Sequence, residues 1–254
     1  MAKKIAIGID IGGTGIKGAL VDVKNGEMIG DRVRVETPAG GSTDDIIATV
    51  KALLKKLPES SKETPIGICF PAVVQHGVTK SAANISKKWI GFNADKAFTK
   101  ALGRSVHLVN DADAAGLAEM RFGAGRAERG LVIMTTLGTG IGSALFFDQK
   151  LVPNAELGHL EIDGVDYETM ASFAAKERED LSWEAWAKRL QKYYSTLHRL
   201  FSPDMIIVGG GVSKEHEKFL PLLDIDCEIV PAEMRNNAGI LGAARLAYRL
   251  SNND

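Results

Sequence analysis

Apolar and polar positions along the chain divide it into short strand-like runs broken by glycine-rich turns, with a few longer stretches of helical period. Residues 5–11, built on Ile5, Ile7, Ile9 and Ile11, read as a strand. After a turn rich in glycine, 15–22 reads as a second strand closed by Asp22, and 27–35 as a third. A helix follows to about Leu57. Ser42 or Thr43 caps it, Asp44 and Asp45 lie in its first turn, and Ile46, Ile47, Val50, Leu53, Leu54 and Leu57 form one face before Pro58 stops it. Short buried strands are predicted at 66–70, 106–109 and 205–208, and helices at 112–122, 183–200 and 238–250. Trp183, Trp186, Tyr193 and Tyr194 recur at helical spacing and read as core and face residues of the long helix.

The pattern repeats. Gly13-Thr14-Gly15-Ile16-Lys17-Gly18-Ala19-Leu20 returns as Gly138-Thr139-Gly140-Ile141-Gly142-Ser143-Ala144-Leu145, an offset of 125 residues in a chain of 254. Each copy follows a β-rich run and ends in an apolar strand closed by an acid, Asp22 or Asp148. A glycine-rich hairpin used once per half predicts an α/β protein with two related lobes facing each other. The expected division is a small N-terminal lobe of 1–109 with 238–254 and a large C-terminal lobe of 110–237, the last helix returning to the first lobe.

Composition narrows the function classes. The chain is 45% hydrophobic and 25% charged, ordinary for a globular protein, so disorder and fibrous repeats are not expected. The formal net charge of −1 offers no general basic excess for nucleic acid or a membrane surface. The two cysteines, Cys69 and Cys227, form no CxxC pair and read as buried small hydrophobes. No apolar run approaches a membrane span, and the N-terminus is too short for a signal peptide, so a cytoplasmic address is expected.

The turn Asp10-Ile11-Gly12-Gly13-Thr14-Gly15-Ile16-Lys17 combines glycines that permit positive φ and close backbone approach, a hydroxyl, a cation and a carboxylate able to hold Mg²⁺. The plainer reading is a tight hairpin with a capping acid. A strand follows the turn, so it is neither a P-loop nor a dinucleotide fingerprint. Its second copy, Thr136-Leu137-Gly138-Thr139-Gly140-Ile141-Gly142, favours two opposed turns gripping one phosphate chain. Gly209-Gly210-Gly211-Val212 lies between a strand and a predicted helix, the crevice position of an α/β lobe. Asn110-Asp111 ends a strand and opens a helix, so Asp111 is either an N-cap or a general base for phosphoryl transfer. Glu156-Leu157-Gly158-His159, with Glu161, Asp163, Asp166 and Glu168 after it, fits a solvated acidic loop, a metal cluster or recognition of sugar hydroxyls.

Together Asp10–Lys17, 137–142, Asn110-Asp111-Ala112-Asp113 and Glu156-Leu157-Gly158-His159 resemble the ROK sugar kinases of the actin/hexokinase/Hsp70 superfamily. Within it, Asn154-Ala155-Glu156-Leu157-Gly158-His159-Leu160-Glu161 and the late Asn237-Ala238-Gly239-Ile240-Leu241-Gly242 are most similar to the polyphosphate-dependent branch. Most members carry a Cys-rich zinc motif after the Gly-His pair. This chain has no cysteine between Cys69 and Cys227, so structural zinc is not expected and His159 loses its metal-linked role.

The resemblance implies a two-lobed actin-like (ribonuclease H-like) fold with an internal duplication. It implies a kinase that transfers phosphate from inorganic polyphosphate, with ATP as a further donor, to the 6-hydroxyl of glucose. Asp111 would be the base, and Asn84, Asn110, Glu156, His159 and Glu168 would hold the sugar. Asp10, Gly12, Gly13, Thr14, Lys17, Gly138, Thr139 and Gly140 would hold the donor phosphates, with Asp10 also on Mg²⁺. Gly209, Gly210, Gly211 and Val212 would line a nucleotide, and a homodimer is a family expectation. The alternative left open is an ATP-only hexokinase acting on glucose, mannose or a related hexose. A polyphosphate track could be supplied by Lys80, Lys87, Lys88, Arg121, Arg126 and Arg129, which read equally well as ordinary surface charge. A sugar-sensing repressor of the same family would need a helix-turn-helix ahead of the first strand, for which residues 1–4 leave no room.

Overall fold

Strand β1 (Ile5–Ile11) is buried along nearly its whole length because it lies between β2 (Gly15–Asp22), antiparallel to it, and β4 (Ile66–Phe70), parallel to it. A computed structural model describes residues 4–82 and 85–252 of the chain. Its residues group into two compact units, 4–118 with 237–252 and 119–236. The first unit holds a five-stranded sheet in the order β3 (Glu27–Glu36), β2, β1, β4, β5 (Val106–Asn110). Helix α1 (Thr43–Leu54) is capped by Ser42, whose side chain accepts from the Asp45 amide, and buries Ile46, Val50 and Leu53. Each of these contributes about 1.5–3 kcal/mol of burial. Helix α2 (Ala94–Leu102) brings Phe98 to the same core.

Trp89 is wholly buried there, its indole N–H donating to the Gly41 carbonyl at 2.9 Å, its ring stacked on Phe98 and tilted against Phe70. Asn84 lies outside the described residues.

Helix α3 (Asp111–Phe122) leads into the second unit. There the sheet order is β8 (Lys150–Val152), β7 (Ile141–Phe147), β6 (Leu131–Leu137), β9 (Met205–Gly209), β10 (Glu228–Pro231). Each sheet is thus an antiparallel three-strand meander extended by two parallel strands. The duplication seen in the residues is a duplication of topology. One residue separates the copies: Ile11 pairs with Ile16 across the first turn, Leu137 with Ile141 across the second, so the second hairpin is one residue shorter.

Short helices α4 (Glu168–Ala171) and α5 (Phe173–Arg178) precede the long α6 (Trp183–Phe201). Trp186, Tyr193 and Tyr194 are fully buried under α6, as its spacing predicts. Helix α7 (Ala238–Asn252) packs in the first unit against β1 and β4. Among the described residues no helix is long and apolar enough to cross a membrane. Cys69 is buried as expected. Cys227 is half-exposed, because it precedes β10 instead of lying within a strand.

Candidate active site

In the first unit, Asp10 ends β1 beside the glycine turn. The Lys17 ammonium donates to its Oδ2 at 3.2 Å and the Cys69 thiol to its Oδ1 at 3.5 Å. The carboxylate and the cation, given separate duties by the sequence pattern, are therefore paired with each other. Burial, and then the charges of Asp10 and Asp111, push the Cys69 thiol well up, so it remains a neutral donor. The Gly12 amide donates to the Gly15 carbonyl at 3.1 Å, and Thr37 and Arg34 fix the turn by donating to the Gly12 and Thr14 carbonyls at 2.6 and 3.2 Å. Gly13 and Thr14 face solvent. A cavity of about 410 Å³, the size of a small-molecule site, is lined by Gly12, Gly13, Thr37, Gly40, Gly41 and Ser86 among others.

The positive φ expected of the turn glycines is not found. None of Gly12, Gly13, Gly15, Gly138 and Gly140 lies in the left-handed region. Hairpin pairing sets their backbone, and at Gly140 glycine is needed for proximity. A Cβ on Gly140 would stand 2.4 Å from Glu168 Oε2.

At the β5–α3 junction the cap is Asn110, not Asp111. The Asn110 Oδ1 accepts from the Ala112 and Asp113 amides at 2.9 and 3.1 Å, while its Nδ2 donates to the Ala72 carbonyl at 3.2 Å. Asn110 is 8% exposed, and one Nδ2 hydrogen remains for a ligand. Asp111 is exposed at the positive end of α3, its Oδ1 accepting from the next amide at 2.9 Å.

In the second unit a chain of hydrogen bonds ties the second glycine turn to the acidic segment. Glu168 Oε2 accepts from the Ile141 amide at 2.9 Å, just after the turn, and the Ala174 amide donates to the Gly138 carbonyl at 3.0 Å. Ser143 on β7 brackets Glu156: its hydroxyl donates to the Ala155 carbonyl at 2.5 Å and accepts from the Leu157 amide at 2.8 Å. The Tyr193 hydroxyl donates to the Leu157 carbonyl at 3.1 Å. The predicted loop is in fact a 3₁₀ turn over Leu157–His159.

The His159 Nδ1 lies 2.9 Å from Asp166 Oδ2 and 3.8 Å from Glu168 Oε1. The hydrogen bond that the Asp166 carboxylate accepts from Nδ1, with the charges of Glu168 and Glu156 adding, raises the imidazole pKa. Partial desolvation, together with the charge of Glu168, raises that of Glu156. The sequence places Asp166 among the acids of this segment but gives it no role. Its contact crosses the small hairpin of Glu161–Ile162 and Val165–Asp166, a pairing without sequence period. Among the described residues His159, Asp166 and Glu168 also form a group whose ligand atoms lie within 4.8 Å of one another. His159 is exposed with its Nδ1 already engaged, and the two carboxylates are partly buried, so proximity alone would speak for an ion there.

Gly210 is the glycine of its cluster that the backbone requires, with φ at 86° and a Cβ position 2.2 Å from the Leu137 carbonyl oxygen. The α-helix expected after it is a 3₁₀ run, Gly211–Lys218, kinked at Glu215. That geometry offers a poorer anion site than an α-helix N-terminus. Arg126 of the suggested cationic track pairs with Glu233 at 3.1 Å, and Arg129 donates to the Glu128 carbonyl. Lys80, Lys87 and Lys88 are exposed.

The chain matches the ROK family over residues 6–177. It is 43% identical to a polyphosphate glucokinase of Mycobacterium tuberculosis over 238 residues, 93% of this chain and 89% of that protein. Among solved structures it is similar to an inorganic polyphosphate/ATP-glucomannokinase from Arthrobacter sp. strain KM. That match has 50% identity and a TM-score of 0.90 over 98% of this chain and 99% of the other. A ROK glucokinase from Streptomyces griseus in complex with glucose and AMPPNP is 26% identical, with a TM-score of 0.79 over 96% and 99%. These neighbours share the actin-like fold that the duplicated sheet topology displays. With the family match covering both glycine turns, Asp111 and the Glu156–Glu168 segment, the chain belongs to the ROK family.

Proposed function

We propose that the protein transfers a phosphoryl group from inorganic polyphosphate, and also from ATP, to the 6-hydroxyl of glucose. The observation that carries this reading is the Glu168 carboxylate. It joins the second glycine turn, through the Ile141 amide, to the His159 and Glu156 set, so sugar and phosphate elements are built as one unit. The donor class comes from the mycobacterial and Arthrobacter relatives, whose names carry polyphosphate.

In this reading Asp111 accepts the proton of the 6-hydroxyl as its oxygen bonds to the terminal phosphorus. The bridging P–O bond breaks, leaving glucose 6-phosphate and a polyphosphate one residue shorter. Such a transfer passes through a loose transition state and demands positioning and charge neutralisation more than covalent chemistry. Glu156, His159, Glu168 and the remaining Asn110 amide hydrogen meet the other hydroxyls. The glycine turns, with Thr14, Thr139 and Lys17, meet the phosphates. Gly209–Val212 serves the nucleotide when ATP is the donor.

Asp10 fits Mg²⁺: it is a hard, partly exposed carboxylate with one polar partner on each oxygen, which leaves lone pairs for an ion or its waters. The ion, bound with the donor, would neutralise charge on the phosphates. We place the enzyme in the cytoplasm, as a homodimer.

A coupled glucose 6-phosphate assay run with polyphosphate and ATP side by side tests the reading, with mannose as a second acceptor. Turnover with polyphosphate in nucleotide-free enzyme is expected. Turnover with ATP alone would transfer the assignment to an ATP hexokinase, and none with either donor would end it. Asp111→Ala should lower kcat by roughly 10²–10⁴-fold with an unchanged circular dichroism spectrum, since Asn110 caps α3. Near-normal turnover would remove Asp111 as the base.

A further inference from the structure

Asp166 is a carboxylate whose polar relations point almost wholly at one imidazole. Its Oδ2 lies 2.9 Å from His159 Nδ1. Its Oδ1 is buried and has no hydrogen-bond partner among the described residues. A carboxylate that exists to hold the fold would spend both oxygens on amides, because a buried acceptor left unmet costs free energy. Glu119 does this, taking three backbone amides. At Asp166 the cost of desolvating Oδ1 is offset by no structural bond, while Oδ2 is turned to a residue of the sugar set.

We propose that Asp166 is the positioning residue for His159, holding the imidazole so that Nε2 meets a sugar hydroxyl. An ionised carboxylate can only accept, so the proton of the neutral ring sits on Nδ1 and Nε2 presents its lone pair. The 2.9 Å bond also fixes the ring plane at the end of the Leu157–His159 turn, whose backbone Tyr193 and Ser143 anchor. A carboxylate oriented behind an imidazole is a general way of fixing its tautomer. The role deepens the glucose-kinase reading and rests on it.

The groups that charge or face His159 are Asp166 and Glu168, which flank Nδ1, and Glu156 at the head of its turn. Protonation removes the Nε2 acceptor, so glucose affinity should fall as pH drops through the His159 pKa. Asp166 supplies the largest upward influence on that pKa. With Asn in its place the fall should move to lower pH.

The experiment is glucose binding by isothermal titration calorimetry from pH 5 to 8, without donor, on wild type, Asp166→Asn and Asp166→Ala. Turnover with polyphosphate at saturating glucose is measured on the same three proteins. We expect both variants to melt near the wild type and to keep kcat within about threefold. Asp166→Ala should weaken glucose at pH 7.5 about tenfold, the scale of one hydrogen bond to a charged group. Asp166→Asn, which can still accept through its amide oxygen, should lose less and show the acid limb displaced downward. Unchanged affinity in Asp166→Ala, or an unmoved limb in Asp166→Asn, overturns the proposal. So does a fall in melting temperature and kcat together with no separate loss of affinity, which marks a structural residue. If the wild type neither binds nor phosphorylates glucose, the functional reading falls first and this one with it.

Discussion

Gly138 and Gly140 occupy the same turn and look interchangeable in sequence, yet the structure separates them. Around a Cβ on Gly138 no atom lies within 4 Å, whereas one on Gly140 would meet the Glu168 carboxylate oxygen at 2.4 Å. That carboxylate is the end of a flexible side chain, so Gly140→Ala should displace it and leave the strands in place. The displaced group loses its bond to the Ile141 amide and its position beside His159. The expected result is a glucose KM raised about tenfold with little change in melting temperature. Gly138→Ala should leave the glucose KM where it is. Equal effects from the two substitutions on glucose KM would refute the role given to Glu168. Candidate residues are legible here by type and spacing, but their connections are not. Asp166 reaches His159, and Ser143 brackets the Glu156 peptide, only because hairpins fold the chain back on itself.

Elements follow local rules more faithfully. The Ser42 cap and apolar face of α1, the long α6 and the strand that stops at Asn110 all carry periodic or capping signals that do not depend on tertiary context. The 3₁₀ segments have no such period, which is why 157–159 reads as a loop, and the stretch after the Gly209–Val212 cluster as a helix of no fixed bounds, in sequence. Function at the β5–α3 junction turns on the same distinction. Either Asn110 or Asp111 satisfies the composition rule for a cap, and only the hydrogen bonds show that Asn110 takes the duty.

Further along α3, Glu119 is fully buried and accepts from the Ala124, Glu233 and Met234 amides, clamping the end of the helix to the segment before α7. Nothing in its surroundings by sequence distinguishes it from a surface glutamate of an amphipathic helix. Glu119→Gln keeps the shape but turns an amide NH₂ toward backbone donors. It should cost about 2–3 kcal/mol in urea unfolding monitored by circular dichroism. A loss within about 0.5 kcal/mol, the range of ordinary surface substitutions, would show that the clamp is not needed.

For the whole chain, the repeat of the glycine hairpin is the strongest single signal, because two copies of a meander must repeat both their apolar period and their turn. Less visible is how the end of the chain completes the unit that its beginning starts. Helix α7 presents Ala243, Ala244 and Ala247, all fully buried, to a sheet whose central strands carry Gly8 and Gly67. These small residues on both sides allow a helix backbone to lie directly on a strand. A Cβ on Gly67 would stand 1.8 Å from the Ala243 carbonyl oxygen and 2.2 Å from its carbon, both main-chain atoms that cannot rotate away. Gly67→Ala must therefore lift α7 from β4 or distort the sheet. The expected cost is about 3 kcal/mol, seen as an apparent melting temperature lowered by roughly 10 °C. Hydrogen exchange should rise in 66–70 and 240–247 together, since each segment is the other's cover. Gly138→Ala, with open space around its added methyl, is the matched control and should melt within about 2 °C of wild type. If Gly67→Ala melts with the control, or if exchange rises in β4 and not in α7, the helix does not rest on that strand.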